Sequence, residues 1–125
     1  MLIKNETPPA SDVIAPYSEA IDTGNMLFIS GQLGFDAASG ELPECFETQA
    51  KNVMNKLKTI LEKNGYSFEQ VVKTTIFLND MANYAKTNEI YSAFFPSRKP
   101  ARSCVQVAAL PLGGKIEIEL IAIRG

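Results

Sequence analysis

The chain has 125 residues, 46% of them hydrophobic, and a formal net charge of −2 at neutral pH. Those values suit one globular domain with its own core, exclude a disordered chain, and offer no global basic field to attract nucleic acid. Histidine is absent and there are only two cysteines, so Ser-His-Asp and Cys-His catalysis and the usual zinc ligand sets are excluded.

Any chemistry must therefore run on Arg, Glu, Asp, Tyr, Lys, Cys, backbone or water, and no metal or cofactor is expected. No apolar run of about 18 residues is present, and the start "MLIKNETPPAS" lacks a charged-then-apolar leader. The expectation is a cytoplasmic protein, with Cys45 and Cys104 as reduced thiols.

In chain order, "TPPAS" (7–11) reads as a loop feeding the first strand. "YSEAID", "TGN" and "MLFISGQL" read as strand, tight turn and strand, with Gly24-Asn25 able to supply positive φ. "ASGE" (38–41) is a second turn. From Glu44 to Asn64, Phe46, Ala50, Val53, Met54, Leu57, Ile60 and Leu61 recur at helical spacing, and Gly65 is a stop signal. "SFEQ" gives a short helical turn with Ser67 as its cap. "VVKTTIFL" (71–78) is β-branched and strand-like. A second helix is predicted from Asp80 to about Phe94, with Met81, Tyr84, Ala85, Asn88, Tyr91 and Phe95 near one side and Pro96 ending it. Strands at 102–108 and 115–123 close the chain, joined by "LPLGG". The order is that of an α+β domain, two helices packed on one face of a sheet.

The last strand, "KIEIELIAI", bears on the other face. Ile116, Ile118, Leu120 and Ala122 point one way; Glu117, Glu119, Ile121 and Ile123 point the other. A solvated face would not normally set two isoleucines beside two carboxylates, so a partner subunit is expected to cover it at least in part, the alternative being an exposed face with two stray isoleucines. "PARSCVQVAALP" (100–111) reads as a buried strand, yet Arg102 stands at its head. A permanently charged guanidinium there suits either a site for an anion or a pairing with a structural carboxylate.

"PARSCVQVAALPLGGKIEIELIAI" resembles the C-terminal signature of the RidA/YjgF family, formerly labelled endoribonuclease L-PSP. "APYSEAI", "FISGQLGFDAASGEL" and the stretch from "QAKNVMNKL" to "YSAFF" continue the likeness, which runs from about Ala15 to Ile123. Ala15 stands where the family commonly has Gly, and Gln106 where it commonly has Glu.

The resemblance implies a single RidA-like domain over residues 1–125, chorismate-mutase-like, with a mixed sheet. Three subunits would assemble with sheets inward and clefts between neighbours. It implies hydrolysis of 2-imino acids or their enamine tautomers, such as 2-iminobutanoate and 2-iminopropanoate, to 2-keto acids and ammonia.

By the same resemblance Arg102 clamps the substrate carboxylate and Glu117 positions or activates water. Glu119 shares its face, and periodicity cannot separate the two. Tyr17, Ser30, Gly31 and Asn88 match positions lining the family's cleft, and Cys104 offers its backbone amide with the thiol as cleft wall. Two other readings stay open. One is a non-catalytic metabolite-binding or regulatory member. The other is an endoribonuclease or translation inhibitor, against which stand the missing histidine and the lack of an aromatic-basic RNA platform.

Overall fold

A computed structural model describes residues 4–6 and 16–125; the Pro-rich stretch 7–11 and Ala15 lie outside the described residues. The strands are β1 (Lys4–Glu6), β2 (Ala20–Asp22), β3 (Met26–Leu33), β4 (Val71–Leu78), β5 (Ala101–Gln106) and β6 (Ile116–Ile123). The helices are α1 (Phe46–Lys63) and α2 (Tyr84–Ser92). One sheet runs β1-β2-β3-β6-β4-β5. Every neighbouring pair is antiparallel except β4 and β5, which are parallel and connected through α2. This is the expected mixed α+β domain.

The core follows from two periodicities. Along α1, Ala50, Val53, Met54, Leu57, Ile60 and Leu61 are all buried on one stripe. Along β6, Ile116, Ile118, Leu120 and Ala122 are buried, while Glu117 and Ile121 are half-buried and Glu119 and Ile123 exposed. The two sets belong to one apolar cluster.

Gln49 is the polar member of the α1 stripe. Its Nε2 donates to Pro43 O at 2.6 Å, and its Oε1 accepts from Lys115 N at 2.9 Å. A buried amide satisfied at both ends costs little and fixes where β6 begins. Gly34 lets this turn of α1 press on the end of β3: a Cβ at Gly34 would lie 2.6 Å from Gln49 Cα. Gly65, at φ +79°, closes α1. Gly65 N–H donates to Glu62 O, and Tyr66 N–H to Leu61 O at 2.8 Å, so two end carbonyls are satisfied.

Two sequence expectations need correction. The second helix does not run from Asp80 to Phe94. Asp80 Oδ1 accepts from Ala82 N–H at 2.9 Å and caps a 3-10 turn over Met81–Asn83, and only Tyr84–Ser92 is α-helical. Its buried face is Thr87, Ile90 and Tyr91; Met81 and Ala85 are exposed.

The strand at 102–108 stops at Gln106 and is not buried within the chain. It is the outer strand of the sheet, and Val105 is 45% exposed. An outer strand is covered only by its inner neighbour and by whatever packs on one face, here α2.

The C-terminal end of β6 is tied back by a cluster that the sequence did not disclose. Arg124 Nη2 donates to Asp22 Oδ2 at 2.5 Å, and its guanidinium stacks 4.0 Å from the Tyr66 ring centroid. Asp22 also accepts from Gly24 N–H and from the Tyr66 hydroxyl. Burial alone would raise the Asp22 pKa. The Gly24, Tyr66 and Arg124 contacts outweigh that and hold it below its ordinary value.

Candidate active site

Arg102 pairs with Thr74 across the parallel ladder, so its side chain leaves the sheet on the helix side, toward α2. Its Nη2 donates to Asn88 Oδ1 at 2.5 Å. The guanidinium carbon lies 5.0 Å from the Tyr91 ring centroid and 5.5 Å from that of Tyr84. Among the described residues, Arg102 has no carboxylate partner. Cys104, two residues on, leaves the same face and packs half-buried against the core. Burial pushes its thiol pKa up despite the nearby Arg102 charge, so the group is a thiol and not a nucleophilic thiolate.

Glu117 stands on the opposite face. It pairs with Leu33 on one side and Phe77 on the other. Between Ile29 and Gln32, β3 carries one residue more than β6, which makes Ser30-Gly31 a bulge beside this carboxylate. A Cβ on Gly31 would overlap Glu117 Oε2, so the carboxylate rests directly on the glycine backbone. Burial raises the Glu117 pKa above its ordinary value, and the neighbouring Glu119 charge raises it further. Glu119 itself is exposed. The two carboxylates that periodicity could not separate therefore sit in different surroundings.

Ser30 is occupied structurally. Its Oγ donates to Ser18 O at 2.6 Å and its N–H to Glu19 O at 3.0 Å, tying β3 to the segment that carries Tyr17. Tyr17 is 41% exposed.

The candidate residues thus fall into two groups. Ser30, Gly31 and Glu117 gather at the β3–β6 bulge, with Tyr17 on the adjoining segment. Arg102, Asn88 and Cys104 gather between β5 and α2. The groups lie on opposite faces, with β4 between β5 and β6, a lateral separation of about 9–10 Å. Two shallow grooves on the chain, one lined by Lys58, Leu61 and Phe68 and one between α1 and α2, contain neither Arg102 nor Glu117. Sequence reasoning missed Tyr84 and Tyr91 as neighbours of Arg102. The available signal was their spacing with Asn88, at i, i+4 and i+7 along one helix stripe.

The fold is that of a small α+β domain in which the candidate residues are divided between an outer strand and the open sheet face. A family model described as endoribonuclease L-PSP matches residues 7–124. The chain belongs to this family, RidA/YjgF. It is similar to Reactive Intermediate Deaminase A, chloroplastic, of Arabidopsis thaliana, 45% identical over 97% of this chain, though it spans only 64% of that longer protein. It is similar also to 2-iminobutanoate/2-iminopropanoate deaminase of Mus musculus, 44% identical over 95% of this chain and 89% of the mouse protein. Among solved structures, E. coli TdcF with bound serine superposes with a TM-score of 0.88 at 38% identity, covering 100% of this chain and 99% of that one. Among the described residues, no helix is long and apolar enough to cross a membrane.

Proposed function

We propose that the chain hydrolyses 2-imino acids, such as 2-iminobutanoate and 2-iminopropanoate, to 2-keto acids and ammonia. The observation that carries this reading is the state of Arg102. A half-buried guanidinium, held by a neutral amide and lacking a carboxylate partner among the described residues, is suited to take a carboxylate from outside. The mouse relative's name gives the substrate class, and TdcF holds an α-carboxylate ligand, serine.

The chemistry asks little beyond placement. With the substrate carboxylate on Arg102, the C=N carbon is already electrophilic. Glu117, its pKa raised by burial, accepts a proton as water adds to that carbon. It returns the proton to nitrogen in the tetrahedral adduct. Glu117 then carries the hydroxyl proton of that adduct to the amino group, the C–N bond breaks, ammonia leaves and a keto group remains. One water is consumed, and no electron is gained or lost.

One chain cannot hold both ends of so small a substrate, because Arg102 and Glu117 lie on opposite faces of its sheet. The reading therefore places each cleft between two chains of a homotrimer. The outer strand β5 of one subunit approaches the open face of the next. The exposed apolar side chains support this: Phe28 and Ile123 are each 40% exposed and Val105 45%.

The test is a coupled assay with freshly generated 2-iminobutanoate. Wild-type chain should speed ammonia release and the Arg102→Ala chain should not. A folded Arg102→Ala protein with near-normal turnover would overturn the reading.

A further inference from the structure

We infer that Tyr84, Asn88 and Tyr91 form a cradle that sets the plane and rotation of the Arg102 guanidinium, so that Asn88 is a positioning residue and not a ligand of the substrate. This rests on Arg102 being the carboxylate clamp. An arginine on an outer strand has several rotatable bonds and many solvated conformers, and a fork that must meet a carboxylate in two places gains from being held beforehand. The three α2 residues stand at i, i+4 and i+7, one stripe facing β5.

The cradle is itself braced. The Tyr91 hydroxyl lies 2.8 Å from the Thr74 hydroxyl in a buried hydrogen bond. Thr74 is the residue directly across the ladder from Arg102. Thr74 therefore fixes the ring that offers its face to the cation, while burial keeps the Tyr91 phenol protonated. Tyr84 adds a second ring at 5.5 Å. Asn88 sits between the tyrosines in the stripe and takes one N–H of the guanidinium.

The choice of an amide is informative. Arginine has five N–H donors, and Asn88 occupies one of them without adding charge. An aspartate would reach the same atom but form an ion pair, which a substrate carboxylate would have to displace. An amide orients the cation and leaves its charge for the ligand.

The experiment measures binding of 2-ketobutyrate, as a carboxylate probe, by calorimetry on the assembled protein. It uses Asn88→Ala, Asn88→Asp and Tyr84→Leu, each alone and combined with Arg102→Ala. All three substituted sites are exposed or half-buried, and melting curves check that each variant folds. Loss of one charge-assisted hydrogen bond should weaken binding roughly tenfold in Asn88→Ala. Asn88→Asp should weaken it on the order of a hundredfold, since the new charge also neutralises the clamp. Tyr84→Leu should cost a few-fold, roughly the value of one exposed cation–π contact.

In the Arg102→Ala background none of the three should alter the residual binding. The inference is overturned if Asn88→Asp binds as well as Asn88→Ala. It is overturned also if Asn88→Ala still weakens binding without the arginine, because Asn88 would then touch the ligand itself. If Arg102→Ala alone binds like wild type, the clamp assignment fails first, and the cradle fails with it.

Discussion

Arg102 and Glu117 differ in what surrounds them, and the difference sets their expected behaviour. The Arg102 guanidinium is fixed by an amide and two rings, so its removal leaves the packing of the core intact. Arg102→Ala should stay folded and lose at least two orders of magnitude in turnover of 2-imino acids, from two charge-assisted bonds worth roughly 1.5–3 kcal/mol each. Arg102→Lys should also be poor, since an ammonium has no planar fork and cannot stack between the tyrosines in the same way. Steady-state kinetics on both variants checks this; a lysine variant with wild-type kcat/KM would contradict it.

Glu117 binds its proton more tightly in the folded chain than in the unfolded one, through burial and then the Glu119 charge. Ionising it therefore costs stability, a cost that appears as pH rises from the ordinary value of 4.5 through the raised one. Glu117→Gln should melt no lower than wild type at pH 7 and yet be inactive. In the wild type, activity should fall on the acid side with a midpoint above 4.5. Glu119→Gln should move that midpoint down, because a like charge is removed. A pH–rate profile unmoved by Glu119→Gln would count against Glu117 as the titrating group. Cys104→Ala should retain most activity, because burial keeps that thiol protonated and no histidine is present to activate it.

At the scale of elements, the bulge of β3 is what places Glu117. Gly31 does not have a positive φ, so an alanine there suits the backbone; what it meets is the Glu117 carboxylate. Gly31→Ala should therefore leave melting nearly unchanged and reduce turnover at least about tenfold, as a displaced base loses its line to water. Equal kinetics for Gly31→Ala and wild type would show that the contact does not matter.

The elements also show what the sequence could reveal. α1 was legible because a 3.6-residue period over five turns has one burial solution, and β6 because a strict alternation has one as well. β5 was not. Compact and β-branched residues suit an inner strand and an outer one alike, and nothing in "ARSCVQ" separates these. On α2, periodicity sets Tyr84, Asn88 and Tyr91 on one stripe, but only the structure shows that this stripe faces Arg102. The Asp22–Tyr66–Arg124 cluster joins residues 44 and more positions apart, beyond the reach of any local pattern.

At the scale of the molecule, one chain presents the candidate residues in two separate groups and an open sheet face with exposed Phe28 and Ile123. Met26 pairs with Ile123 and Phe28 with Ile121 on that face, and a partner of the same sequence is the simplest cover. We predict a trimer in sedimentation, dispersed by Phe28→Asp, which sets a charge amid this patch. A stable monomer at assay concentration would contradict this.

Subunit mixing tests the divided cleft most directly. Arg102→Ala and Glu117→Gln chains are each expected to be inactive alone, and they are co-expressed with different tags so that mixed oligomers can be purified. If each cleft takes its arginine from one chain and its glutamate from the next, every mixed trimer has one of its three clefts with both native residues, about a third. Activity should then return to about that fraction of wild type. If Arg102 and Glu117 act within a single chain, no mixture contains an intact site. Mixed oligomers no more active than their parents would contradict the two-chain cleft.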